Sequence, residues 1–218
     1  MTDRPPIAIV GGTGQEGSGL ALRMAHAGHS VHVGSRDAAR ARDMAAKLNA
    51  RLGTGAVTGS DNPTVCAAAG IVILAVPYAA QQATALGLAE LLAGKVVIDA
   101  TVPLMPPKVS KVQLPEGGSA VAALQALLPD VRLVSAFQNV SHAHLHDLDH
   151  AVDCDVLVCG DDTEACETAV ALIEAIGMRG FHAGGIANSA AAEALTSLLI
   201  AINRRYKSPG AGIRLTNV

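Results

Sequence analysis

The sequence predicts an α/β fold: a Rossmann-type doubly wound parallel sheet with a small C-terminal α/β part. Three observations carry this expectation. Short runs rich in Val and Ile alternate with longer, Ala-rich amphipathic stretches. A glycine-dense turn, GGTGQEGSG, directly follows the first apolar run. The run IVILAV at residues 71–76 is apolar without alternation, as a strand covered on both faces has to be.

Taken in order, Ile7–Val10 is the first strand and residues 14–27 the first helix, stopped by Gly28. Residues 30–33 form the second strand. The helix at 37–50 has Asp37 at its N-cap and Gly53 beyond its end. Residues 56–58 read as a third strand, and residues 62–69 as a short helix with Pro63 in its first turn. Residues 71–76 are a strand, 78–92 a helix and 95–99 a strand. Residues 101–119 hold four prolines and two lysines, Lys108 and Lys111, and read as a long surface loop. A helix at 119–128, strands at 132–136 and 155–159, a helix at 162–176 capped by Asp161 or Thr163, and a strand at 180–182 follow. The last helix starts at Asn188-Ser189, runs to about Arg205, and reads as apolar nearly all round, hence buried.

Composition narrows the function classes. Half of the 218 residues are hydrophobic, 16% are charged, and net charge is −3. With 2% aromatics and no Trp, the chain lacks the basic surface and stacking rings of a nucleic-acid binder. The longest apolar stretch, residues 190–202, carries Glu193 and falls short of the ~20 residues a bilayer span needs. No leader pattern precedes Ile7. A cytoplasmic protein without membrane or nucleic-acid partners is therefore expected. Cys66, Cys154, Cys159 and Cys166 form no CxxC pair and read as reduced, buried thiols.

Gly12-Thr13-Gly14-Gln15-Glu16-Gly17 fits G-x-G-x-x-G between a strand and a helix, the setting that gives the motif meaning. Gly12 is expected to make the tight turn. Gly14 lets a pyrophosphate approach the backbone, and Gly17 lets the helix lie close to the strand. Free N–H groups at the helix start then face the anion. The second strand ends in Gly34-Ser35-Arg36, without the acid that would hold an unphosphorylated ribose. Arg36 can fork onto a 2′-phosphate, Ser35 can donate to it, and Arg40 lies one turn on. The site therefore reads as selecting NADP(H). Charged hydrogen bonds contribute about 1.5–3 kcal/mol each, so two give a preference on the order of 100-fold over NAD(H).

These residues, with AVPY, LVSAFQNV, DVLVCGDD and NSAAAEALTSLLIAIN, make nearly the whole chain resemble the F420-dependent NADP reductases. The resemblance implies hydride transfer between NADP(H) and the deazaflavin coenzyme F420, by soluble homodimers. It implies that Thr13, Ser35, Arg36 and Arg40 hold the 2′-phosphate and that Ala75, Val76 and Pro77 form the strand-end loop beside the cofactor. It places residues 137–141, including Gln138, Asn139, Val140 and Ser141, along nicotinamide and deazaflavin. Leu195 and Leu198 would line the deazaflavin pocket. Gln138 stands where many members carry His. Hydride positioning is assigned to Val140, Ser141 and His142. The division that follows is residues 1–136 as the NADP-binding Rossmann domain and 137–218 as a smaller domain with acceptor pocket and dimer contacts.

The residues agree with such chemistry by what they lack. Neither Tyr78 nor Tyr206 has Lys four residues on, and GGIANSAAAEAL offers Asn188 but no Lys. An alcohol substrate thus has no evident acid, whereas exchange between two redox rings asks mainly for placement. Two alternatives stay open: an NADPH-dependent reductase of a flavin, pterin or imine, and a non-catalytic NADP(H)-binding redox sensor. The segment SHAHLHDLDH packs four His and two Asp into ten residues. It reads as a polar loop over the cleft, or a contact to an acidic cofactor tail, rather than a metal site.

Overall fold

In the computed structural model, which describes residues 4–218, the strands β1 (Ile7–Val10), β2 (Val31–Ser35), β3 (Val57–Asp61), β4 (Ile71–Leu74), β5 (Val96–Asp99) and β6 (Arg132–Ser135) form one parallel sheet. Their order is β3-β2-β1-β4-β5-β6, so the chain leaves β1 in both directions and opens a crevice where the winding reverses. Helices cover both faces because β1 is apolar on both. Ile7 and Ile9 enter one buried cluster, and Ala8 and Val10 the other.

The connecting helices are α1 (Gln15–His26), α2 (Ala38–Leu52), α3 (Asn62–Ala68), α4 (Tyr78–Leu86), α5 (Ala89–Leu92) and α6 (Ala120–Leu127). Asp37 caps α2 by accepting from the Ala39 and Arg40 amides, and Gly53 ends it in the left-handed conformation. Two expectations need correction. The helix expected at 78–92 is broken at Gly87-Leu88, which turns Leu88 and Leu92 into the second core cluster. The third strand runs on to Asp61 because its ladder with β2 continues to the Ser35–Asp61 pair.

Beyond β6 come α7 (His142–Leu145), β7 (Asp155–Val158), α8 (Thr163–Ala175), β8 (Arg179–His182) and α9 (Ser189–Tyr206). β7 and β8 pair in parallel, and an antiparallel bridge between Ser135 and Cys159 joins this small sheet to β6. The cap of α8 is Asp162, not Asp161 or Thr163. Asp162 accepts from the Ala165 amide, while Asp161 accepts from the Ile186 amide. The C-terminal tail lies along β7, where the Asp155 amide donates to the Ile213 carbonyl.

α9 is not apolar all round. Its buried side carries Ser189, Glu193 and Ser197 beside Ala192 and Leu199, while Leu198, Ile202 and Tyr206 face outward. With the preceding 3-10 turn it spans 21 residues, Ile186–Tyr206, and by length and composition could cross a bilayer, which residues 190–202 could not. Its polar contacts tie it instead to the globular body. The Glu193 carboxylate is sealed at 1% exposure, and Thr196 Oγ1 donates to the Gln138 carbonyl. All four cysteines are buried free thiols, and burial pushes Cys66, Cys159 and Cys166 up to about 11.

Candidate cofactor cleft

The cleft forms where β1, β2 and β4 end. The sharp turn after β1 centres on Gly11, not Gly12 as expected: Gly11 has φ +79, and a Cβ there would stand 2.5 Å from the Ala75 carbonyl oxygen. Gly17 is equally constrained, since a Cβ would lie 2.6 Å from the Gly11 oxygen. Helix α1 thus starts directly against the turn. Gly14 caps it with no side-chain acceptor, and the Ser18 amide is the first to bond back, to the Gly14 carbonyl. The Gln15, Glu16 and Gly17 amides have no backbone acceptor and stay free for an anion.

A cavity of about 420 Å³ runs from this turn to the end of β2. Thr13, Gly14, Ser35, Arg36, Arg40, Ala75, Val76 and Pro77 all line it. Ser35 is 8% exposed, and its oxygen accepts from the Asp37 amide, which leaves the hydroxyl proton to donate outward. Arg36 and Arg40 are exposed and form no ion pair among the described residues. Two guanidinium groups and the N-cap Gly14 of α1 thus share one cavity with a single acid, Asp37, whose carboxylate is engaged by the Ala39 and Arg40 amides, and the balance favours a polyanion.

Gly11, Asp37, Asn62, Ala80 and Thr84 also line the cavity, beyond the residues expected there. Asn62 is buried and its Oδ1 has no partner, which marks it as a group waiting for a donor. Its position just after β3 is the only sequence signal it gives.

Of the residues expected at the cofactor, Gly12, Gln15 and Gly17 are not in this lining, and the second group lies apart from it. Phe137, at the end of β6, is 1% exposed and holds φ 75, a left-handed conformation that bulky residues rarely adopt. That turn sends residues 138–140 inward. Gln138 donates to the Asp99 carbonyl, and Asn139 donates to the Asp155 carbonyl at 2.7 Å. Gln138, Asn139 and Val140 are all buried; Ser141 is half-buried and His142 exposed. Leu195 is half-buried and Leu198 is 50% exposed. Beside Gln138 lies Asp99, fully buried at the end of β5, which accepts from Gln81 Nε2 and the Thr101 amide. Burial pushes its carboxyl above the usual range. In the sequence it is only the last residue of an apolar strand.

The His-rich segment packs on α1. Arg23, 7% exposed, donates to the carbonyls of His144, Leu145, Asp147 and His150. His146 Nε2 reaches the Gln15 carbonyl oxygen at 2.9 Å, directly behind the glycine turn. Among the described residues, no three His, Cys, Asp or Glu side chains converge as metal ligands.

Strand order, turn and cleft together define a dinucleotide-binding protein of the Rossmann class. Comparison with known proteins narrows this. Residues 6–103 match the family described as NADP oxidoreductase, coenzyme F420-dependent. An F420-dependent NADP reductase of Methanocaldococcus jannaschii is 41% identical over 97% of this chain and 98% of its own. One from Methanothermobacter thermautotrophicus is 41% identical over 97% and 95%. A solved structure from Arthrobacter sp. FB24, described as a candidate F420-dependent NADP reductase, superposes with TM-score 0.80 at 27% identity, covering 98% and 100%. The chain belongs to the F420-dependent NADP reductase family.

Proposed function

We propose that this protein transfers a hydride between NADP(H) and coenzyme F420. One observation carries the cofactor half: Thr13, Ser35, Arg36 and Arg40 line a single cavity together with Gly11 and Gly14, the turn on which α1 starts. The groups present suit a diphosphate at the start of α1 and a 2′-phosphate on the guanidinium groups. NADPH, when bound, supplies the hydride. The chain's own residues then act by placement. Ala75, Val76 and Pro77 wall the cofactor path, and the Phe137 turn sets Gln138 on the Asp99 carbonyl at the β5 end, with Val140 and Ser141 following it. Kinship with F420-dependent NADP reductases at 41% identity supplies the acceptor.

The smaller part, residues 137–218, carries the acceptor pocket in this reading, with Leu195, Leu198 and His142 near its mouth. The outward row Leu198, Ile202 and Tyr206 on α9, spaced at four residues, is the face a second copy would cover to make a homodimer. That placement makes α9 an interface helix of a soluble, cytoplasmic protein rather than a membrane span. The test is optical. Pure protein with NADPH should bleach the visible band of F420 and leave free flavin unchanged. Bleaching of a flavin but not of F420 would reassign the acceptor, and tight NADPH binding without any turnover would point to a sensor.

A further inference from the structure

Glu16, Leu20 and Arg23 lie four and three residues apart and so share one face of α1. Leu20 is fully buried in the cluster that holds Phe137, Val140 and Leu145. Arg23 is buried on the carbonyls of the α7 segment. Glu16 heads this row, inside the glycine turn. It is partly exposed as a residue, yet its Oε1 is shut off from solvent and has no partner among the described residues. Its own backbone amide is one of the three free donors at the start of α1. No strand residue of β1 carries charge. Beside Arg23 and His26 of α1 itself, the charged and titratable groups on the elements packed against it are His32 of β2, Arg40, Arg42, Asp43, Lys47 and Arg51 of α2, and His142, His144, His146, Asp147, Asp149 and His150 of the α7 segment. His146 is bonded to Ser18 and Gln15, and none of these groups bonds to Glu16.

A carboxyl with one oxygen sealed from solvent and without a donor prefers its neutral form, and burial pushes Glu16 up to about 8. The free amides pull the other way, toward the carboxylate. A bound diphosphate takes those same amides and brings negative charge of its own. An ionised Glu16 and the diphosphate therefore compete for one positive helix end.

We infer that Glu16 couples dinucleotide binding to a proton: the cofactor binds the form in which Glu16 is protonated, and ionisation of Glu16 weakens its hold. This rests on the NADP(H) reading above and adds a residue that tunes it. Calorimetry of NADPH binding to the full chain, from pH 7 to 9.5 in two buffers of different ionisation enthalpy, tests it. The expected result is a Kd about tenfold weaker at pH 9.5 than at pH 7, with proton uptake on binding in the upper half of that range. Glu16→Gln should bind with a flat profile and no uptake. A pH-independent Kd in the unaltered protein, or the same pH dependence in Glu16→Gln, overturns the inference. If the variant does not fold, infrared titration of the unaltered protein replaces it: the acid band should persist to higher pH with NADPH bound, and an unmoved midpoint overturns the inference. A protein that binds no NADPH at any pH overturns the cofactor reading and this inference with it.

Discussion

Glu193 of α9 closes the first turn of α6: its Oε2 accepts from the Ala120 amide at 2.8 Å, and its Oε1 accepts from Ser119 Oγ at 2.7 Å. The Val121 amide also donates to Oε1. One carboxylate from the last helix thus satisfies donors that the Rossmann part leaves open where the long proline loop ends. Glu193→Ala should lower stability by about 3 kcal/mol, since it strands buried donors, and Glu193→Gln by less. Denaturant melts of the two variants check this. A loss below the usual range for a surface change, about 0.5 kcal/mol, would mean that the clamp contributes nothing.

Arg23 does for the His-rich segment what Glu193 does for α6. It holds carbonyls of His144, Leu145, Asp147 and His150 at once. Arg23→Ala should lower stability by about 2–4 kcal/mol and speed amide exchange across residues 142–150. Hydrogen exchange reads the segment directly. Unchanged protection there would contradict the clasp.

Arg36→Ala should raise the NADPH Michaelis constant at least about tenfold while changing any NADH activity less. Steady-state kinetics with both dinucleotides checks it. Equal losses would remove the 2′-phosphate role, because only NADPH carries the group that Arg36 would meet.

Acid should loosen the C-terminal tail. Asp155 accepts from the Arg179 side chain first, then from the Leu215 amide and Arg214, and these hold its carboxyl at about 2. The folded value is below the ordinary carboxylate value, so the stability it contributes is present above about pH 4 and is lost as pH falls toward 2. Asp155→Asn should remove that acid-dependent loss and start from lower stability at pH 7. Thermal melts across pH 2–7 check both.

What the sequence made legible follows from range. The glycine turn, the Asp37 cap, and the Ser35-Arg36-Arg40 cluster depend on backbone rules that act within a few residues, so pattern alone located them. Even there the positive φ fell one residue early, at Gly11, because GG offers two places for the same turn. The Phe137 conformation, the Arg23 clasp on carbonyls more than 120 residues away, and the Glu193 cap on α6 are tertiary pairings. Glu193 could be read only as a charge within an apolar helix. Asp99 and Asn62 carried no periodicity at all, and only the strand ends converging in space gave them a place near the site.

The most direct measurement is calorimetric binding of NADPH and NADH to the pure protein at pH 7. The paired guanidinium groups predict NADPH bound on the order of 100-fold more tightly than NADH. Equal affinities, or no binding of NADPH, would contradict the account.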